Sequence, residues 1–334
     1  MSAILVCGGA GYVGSHTVAE LVQRGFETIV IDNLEKGHRD AIWPGARFYE
    51  GDLRDEEFLC EVFARHKINS VVHFAAYSLV SESVENPLKY YENNVCGAIS
   101  LLKSMLKANV YQIVFSSTAA VYGKPQNTPI LESDLTSPIN PYGETKLAVE
   151  NTFKWFDNAY GLKYAVLRYF NVAGAHPSGK IGEDHRPETH LIPTVMQAAL
   201  GKIPKLKIYG DDYATPDGTC IRDYIHATDL ADAHILALED LIKKGESMTY
   251  NLGNGTGFSN KEIVETAKMI TGKPIFIEIT ERRPGDPPVL IASSEKINKE
   301  LKWQPRYNTL EQIIGTAWEW HSKHPEGYKN YDRI

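Results

Sequence analysis

Tyr142 and Lys146 stand four residues apart in the run Tyr142-Gly143-Glu144-Thr145-Lys146. On a helix that spacing puts a phenol and an ammonium on one face. An opposite charge about 4 Å away at an effective dielectric of about 20 is worth about 4 kcal/mol, enough to bring a phenol about three pH units below its ordinary value near 10. The pair therefore predicts a tyrosine that serves as general base near neutral pH. An arbitrary Y-x-x-x-K more often marks a solvated helix face. Here it is supported by Phe115-Ser116-Ser117-Thr118, whose last hydroxyl lies 24 residues upstream of Tyr142 at the end of an apolar run. A hydroxyl there can hydrogen-bond the phenol or the substrate oxygen that loses its proton.

A second chemical element opens the chain. Gly8-Gly9-Ala10-Gly11-Tyr12-Val13-Gly14 follows an apolar run and satisfies G-x-G-x-x-G through Gly9, Gly11 and Gly14. Glycines in that order permit a tight turn, let backbone amides approach a pyrophosphate, and aim a helix N-terminus at its charge. Asp32 lies 18 residues beyond Gly14, close to the offset of about 20 at which a carboxylate meets the ribose hydroxyls of NAD and repels a 2′-phosphate. Asp52 and Phe74-Ala75-Ala76 end the next two apolar runs, where ligands gather in open parallel sheets; Asp52 could equally cap the following helix.

These groups need a scaffold, and the first half of the chain alternates short apolar runs with amphipathic stretches. Strands are predicted over 3–7, 28–31, 47–49, 70–74, 112–116 and 164–169, with helices over 14–24, 56–66, 88–106 and 142–158. The fold class is α/β, a doubly wound parallel (Rossmann) sheet. A long irregular loop is expected over 176–190, then helices over 191–200, 230–242 and 309–322 and short strands over 207–209 and 249–252. Residues 1–174 with about 222–254 are expected to form the NAD domain, and about 175–221 with 255–334 a smaller α/β substrate domain.

The 334 residues carry 35 basic and 42 acidic side chains, a formal charge of −7, with 43% hydrophobic residues. That balance excludes a disordered tail, a coiled coil and a cationic nucleic-acid binder. No apolar run suits a signal peptide or a membrane helix, and Cys7, Cys60, Cys96 and Cys220 are dispersed, so a cytoplasmic protein without a disulfide framework is expected. Glu183, Asp184, His185, Glu188 and His190 crowd one loop without a recognised ligand spacing, so no metal site is expected.

The glycine segment, Asp32, Phe115 to Thr118 with Val121-Tyr122-Gly123, and the Tyr142/Lys146 pair resemble the extended short-chain dehydrogenase/reductases. The segments Tyr91-Glu92-Asn93-Asn94-Val95, Leu167-Arg168-Tyr169-Phe170-Asn171, Gly174-Ala175-His176-Pro177, Arg222-Asp223-Tyr224-Ile225-His226 and Tyr250-Asn251-Leu252-Gly253 look like the branch of that family that inverts C4 of UDP-glucose and UDP-galactose. The resemblance implies an isomerase of galactose metabolism that keeps NAD bound and passes through a 4-keto sugar. Thr118, Tyr142 and Lys146 fall on its catalytic positions. Gly8, Gly11, Tyr12, Val13, Gly14, Asp32, Asn33, Asp52, Leu53, Phe74, Ala75, Ala76, Asn93 and Phe170 fall on its NAD positions, and Asn171, His190, Leu191, Tyr209, Arg222, Arg283 and Asp286 on its nucleotide-sugar contacts. It also implies a homodimer formed through the helices over 88–106 and 142–158, with which Leu101, Leu102, Phe153, Trp155 and Phe156 are compatible.

The chain departs from the family's usual residues at three positions: Thr118 replaces a serine, Ser78 a lysine and His190 an asparagine. Leu290 falls where side-chain bulk limits the sugar pocket, and its intermediate size is compatible with N-acetylated UDP-hexoses; a core leucine with no gating role is the alternative. Sister dehydratases place an acid directly after the catalytic Ser or Thr, whereas Thr118 is followed by Ala119 and Ala120. Another nucleotide-sugar epimerase, such as one acting on UDP-glucuronate, and a catalytically silent NAD-binding regulator are the competing readings. A regulator would have no reason to keep Thr118, Tyr142 and Lys146 together.

Overall fold

In the computed structural model, which describes residues 2–283 and 286–328, seven parallel strands form the central sheet. The strands are β1 (Ala3–Cys7), β2 (Thr28–Asp32), β3 (Arg47–Glu50), β4 (Ile68–His73), β5 (Gln112–Thr118) and β6 (Lys163–Tyr169), with Met248–Leu252 as the seventh. Their spatial order is β3, β2, β1, β4, β5, β6, Met248–Leu252. The chain reverses direction across the sheet between β1 and β4, which opens a crevice at the carboxyl ends of both strands. Every residue of β1 and β2 is buried, as expected for strands covered on both faces, whereas the edge strand β3 exposes Arg47 and Glu50.

One sheet face packs Leu59, Val62, Leu101, Leu102, Met105 and Phe153 against Phe115. The other packs Val18, Leu21, Leu230, Leu238 and Trp303 against Val6 and Val114. Burial of these side chains is worth about 1.5–3 kcal/mol each. Leu101, Leu102 and Phe153 are thus core residues, and of the five apolar residues considered for a dimer face only Trp155 is largely exposed, at 72%. A separate core joins Ile192, Val195, Met196, Ile208, Ile263 and Ile313. It lies beneath two short parallel strands, Leu206–Tyr209 and Ile277–Thr280, and helix Asn260–Thr271. The expected return of the chain to the first sheet is observed, because Met248–Leu252 pairs with β6.

Residues 88–106 differ from the single helix their periodicity predicts. Helix Pro87–Tyr90 runs into a wide turn, Tyr91–Cys96, before helix Gly97–Lys107. Within the wide turn, buried Asn94 accepts the Tyr77 N–H at 2.9 Å and donates to the Tyr77 carbonyl at 3.1 Å and to Thr145 Oγ1 at 3.0 Å. Such turns frequently interrupt helices beside functional groups. Among the described residues no helix is long and apolar enough to cross a membrane. Pro284, Gly285 and the tail 329–334, which the expected second domain includes, lie outside the described residues.

Candidate active site

β5 ends at Thr118, and helix Pro141–Tyr160 presents its first turns to that strand end. The helix starts where it does because Asn140 caps it, accepting the Gly143 N–H at 2.9 Å, with Pro141 in the first position; Gly161, at φ 71°, ends it. Thr118 lies beside the Tyr142 phenol and pulls its pKa down, and its hydroxyl accepts the Ala120 N–H at 3.1 Å. The three expected catalytic residues are therefore brought together.

Their electrostatics differ from the expectation. The ammonium of Lys146 donates to the Ser116 carbonyl at 2.9 Å and lies 4.8 Å over the Phe115 ring. Lys146 is 3% exposed, and burial pushes its pKa down to about 7 against the opposing pull of Glu150. The phenol of Tyr142 is raised above its ordinary value by burial, with Thr118 pulling the other way. Lys146 is aimed at a backbone carbonyl and does not by itself bring the phenol toward neutrality.

Sequence reasoning missed the layer beneath this triad. Glu150, one turn beyond Lys146 and 1% exposed, accepts from Arg168 Nη2 at 2.6 Å, from Arg168 Nε at 3.1 Å and from Ser117 Oγ at 2.5 Å. Arg168 Nη1 donates to the Tyr122 hydroxyl at 2.8 Å, which donates to Asn251 Oδ1 at 2.7 Å. The signals were present: Tyr142, Lys146 and Glu150 continue one i, i+4, i+8 stripe, and Arg168 is a charge inside an apolar strand.

The glycine turn sits at the carboxyl end of β1. Gly8 has φ 80°, and a Cβ there would lie 2.5 Å from the Ala75 nitrogen, so the turn and the Phe74-Ala75-Ala76 segment are in close backbone contact. At Gly11 an added Cβ would meet only the Gly8 carbonyl, at 3.4 Å, and would project into open space before helix Tyr12–Gln23, whose N-terminus has no side-chain cap. That open cradle of first-turn amides, Tyr12, Val13 and Gly14 among them, fits a pyrophosphate. Asp32 Oδ2 accepts the Ala10 N–H at 3.0 Å and Oδ1 the Leu34 N–H at 2.8 Å; burial raises this carboxyl and the two amides hold it down.

Tyr12 donates to the Gly174 carbonyl at 2.6 Å, tying the helix start to the far side of the crevice. Asn33 donates to Asp52 at 3.1 Å, and Arg54 holds the Asp52 carboxyl down to about 2. Asp55, not Asp52, caps the following helix, accepting the Phe58 N–H at 3.0 Å, and Leu53 is buried. Phe74 lies 4.7 Å from the His234 ring, and Asn93 sits in the wide turn, donating to Asn94 at 3.0 Å. Ser78 is exposed.

Across the crevice, Asn171 begins strand Asn171–Ala173, and Leu191 begins helix Leu191–Ala199. Arg222 Nη1 donates to the Ile221 and Pro287 carbonyls at 2.9 Å each, and Nη2 lies 3.6 Å from the Asp286 carboxylate. Asp223 serves a different purpose, accepting the backbone amides of Asn254, Gly255 and Ala292. The Arg283 guanidinium stacks 3.9 Å over the Tyr209 ring. Leu290 pairs in register with Arg222 and, with Phe170, packs against Val121, Tyr122 and Ile130. His190 departs from this group: its Nδ1 turns to Glu183 Oε1 at 2.8 Å.

Residues 4–253 match the NAD dependent epimerase/dehydratase family. The chain is 58% identical over 331 residues to a UDP-glucose 4-epimerase of Halalkalibacterium halodurans, covering 99% of each. It superposes on the Brucella ovis UDP-glucose 4-epimerase in complex with NAD with a TM-score of 0.93 at 47% identity, covering 95% of this chain and 98% of that one. The Bifidobacterium longum UDP-glucose 4-epimerase in complex with NAD+ and UDP gives 0.93 at 39% identity, covering 98% and 100%. With a glycine cradle, an acid at the end of β2 and a Thr–Tyr–Lys cluster at the end of β5, the chain belongs to the NAD dependent epimerase/dehydratase family, on the branch that holds the UDP-glucose 4-epimerases.

Proposed function

We propose that the chain interconverts UDP-glucose and UDP-galactose by reversible oxidation at C4 of the hexose. The observation that carries this is the junction at the end of β5: Thr118 beside the Tyr142 phenol, Lys146 one helical turn on and bonded to the Ser116 carbonyl of the same strand, and Ala119 and Ala120 where a dehydratase needs an acid. NAD, held by the Gly8–Gly14 turn, Asp32, Asn33, Asp52, Leu53, Phe74, Ala75, Ala76, Asn93 and Phe170, supplies a hydride acceptor that returns its hydride, and a positive ring charge that favours the phenolate.

The remaining chemistry belongs to the protein. Tyr142 Oη takes the proton of the C4 hydroxyl, with Thr118 orienting that hydroxyl, and gives a proton back to the C4 oxygen once the sugar has turned its other face. Lys146 adds positive charge one helical turn on from the phenolate. A free 4-keto sugar would escape, so the nucleotide must be gripped while the hexose is free to turn. Arg222 and Arg283 suit the pyrophosphate because guanidinium forks pair with its oxygens. Asn171, Leu191, Tyr209 and Asp286 complete the nucleotide contacts, and Leu290, beside Phe170, faces the sugar. We divide the chain accordingly: 1–174 with about 222–254 for NAD, and about 175–221 with 255–334 for the UDP-sugar. A cytoplasmic homodimer completes the reading; the exposed Val84, Leu88 and Trp155 near the helices in question support the contact.

Replacing Tyr142 with Phe tests the assignment. Interconversion of UDP-galactose and UDP-glucose should fall at least about 100-fold, with bound NAD retained; turnover near that of the parent chain would remove Tyr142 as the base.

A further inference from the structure

Glu183, His185, Glu188 and His190 follow the order Glu-x-His-x-x-Glu-x-His in the loop before helix Leu191–Ala199. The spacing matches no recognised ligand pattern, which is why no metal site is expected from sequence. The fold nevertheless brings one ligand atom from each side chain within 4.8 Å of all the others. His190 Nδ1 lies 2.8 Å from Glu183 Oε1 and 3.5 Å from Glu188 Oε1. His185 Nδ1 lies 3.2 Å from Glu183 Oε1 and 3.7 Å from Glu188 Oε2. A tetrahedron with arms of about 2.1 Å has edges of about 3.4 Å, the middle of that range.

Hydrogen bonding does not account for the cluster. Glu183 is 4% exposed, yet neither its Oε1 nor His185 Nδ1 makes a hydrogen bond, although the Nδ1 atoms of His190 and His185 approach that oxygen to 2.8 Å and 3.2 Å. A buried carboxylate oxygen left in that state is costly unless something else takes its lone pair. Glu188, by contrast, is oriented from behind: its Oε1 accepts the Thr189 and His190 N–H groups at 2.8 Å each, as outer contacts fix a ligating carboxylate. A cleft of about 410 Å³ lined by Glu183, His185, Glu188 and His321 offers an entry path.

We propose that these four side chains bind one divalent transition-metal ion of the zinc class. Two imidazole nitrogens and two carboxylate oxygens suit such an ion, and two carboxylates balance its charge with both imidazoles neutral. Four protein ligands leave no open position, so the ion is structural. The His185 ring meets Tyr12 edge-on at 6.1 Å, and His190 directly precedes Leu191. The ion therefore ties the loop to the start of the glycine-turn helix on one side and to the nucleotide-facing helix on the other.

Titration of the EDTA-treated full chain with Zn2+, in competition with a chromophoric chelator, should show one equivalent bound with a dissociation constant below about 1 µM. Glu183→Gln and His185→Gln should each weaken it at least about 100-fold. Co2+ in place of Zn2+ should give the visible absorption of a four-coordinate ion. Absence of stoichiometric Zn2+ uptake by the unaltered chain, uptake unchanged in both variants, or a six-coordinate Co2+ spectrum would each overturn the assignment. The titration reads binding alone, so its outcome is independent of the epimerase reaction.

Discussion

Glu150→Gln probes the layer that holds the catalytic helix to the sheet. Glu150 is 1% exposed and meets Arg168, 5% exposed, through contacts of 2.6–3.2 Å. Glutamine keeps the shape but removes the charge and turns an NH2 group toward a guanidinium that has nowhere to go. Breaking a buried pair from one side costs about 3–5 kcal/mol, so the urea midpoint should fall by that amount divided by an unchanged m-value. A second effect reaches the chemistry. Glu150 supports the charged form of Lys146, which burial holds at about 7; without that support the pKa falls further. An activity that needs the ammonium is lost as pH rises through that pKa, so the alkaline limb of kcat/KM should move to lower pH in Glu150→Gln. Replacing both partners, Glu150→Leu with Arg168→Met, should recover most of the lost stability and leave the displaced limb. A stability loss under about 1 kcal/mol together with an unmoved limb would refute the reasoning.

Thr118→Val keeps the shape of the side chain and removes the hydroxyl beside the phenol; kcat should fall about 100-fold with little change in KM, measured by coupled assay. Gly14→Ala would place a Cβ 2.1 Å from the Gly8 carbonyl oxygen and 2.9 Å from Gly9 Cα. The turn must then shift, and bound NAD, read from absorbance after denaturation, should be largely lost along with about 2–3 kcal/mol of stability. Asp32→Asn leaves the Ala10 or the Leu34 amide facing an NH2 group, and NAD affinity by calorimetry should fall at least about 10-fold. Leu290→Tyr enlarges a side chain packed beside Phe170 and Tyr122; the ratio of kcat/KM for UDP-N-acetylglucosamine to that for UDP-glucose should drop, and an unchanged ratio would mean a core leucine with no gating role.

The parts legible in the sequence share a physical property: their signal is local. β1, β2 and β5 are apolar runs because helices cover both sheet faces, and the glycine turn announces itself by spacing. Tyr142 and Lys146 are legible as i and i+4 on a capped helix, but the direction in which the ammonium points is a tertiary fact, and the Ser116 carbonyl takes it. The wide turn at Tyr91–Cys96 leaves the apolar periodicity intact on both sides and so hides inside it. Ile277–Thr280 is four residues long and mostly exposed, with no alternation to detect.

Arg168 was a different kind of omission. A buried charge at the penultimate position of Lys163–Tyr169, last of that strand's four buried residues, requires a buried counter-charge, because an isolated ion there would cost several kcal/mol. Glu150 is the acid on the Tyr142 and Lys146 stripe, so a search for the partner of Arg168 would have found it without coordinates. The Glu183 to His190 cluster obeys the same rule with the opposite legibility: its two acids are sunk by the path of an irregular loop, and no periodicity foretells which loop residues are buried. Once burial is known, buried carboxylates are the most informative side chains in the molecule, because each one demands a proton, a cation or a metal.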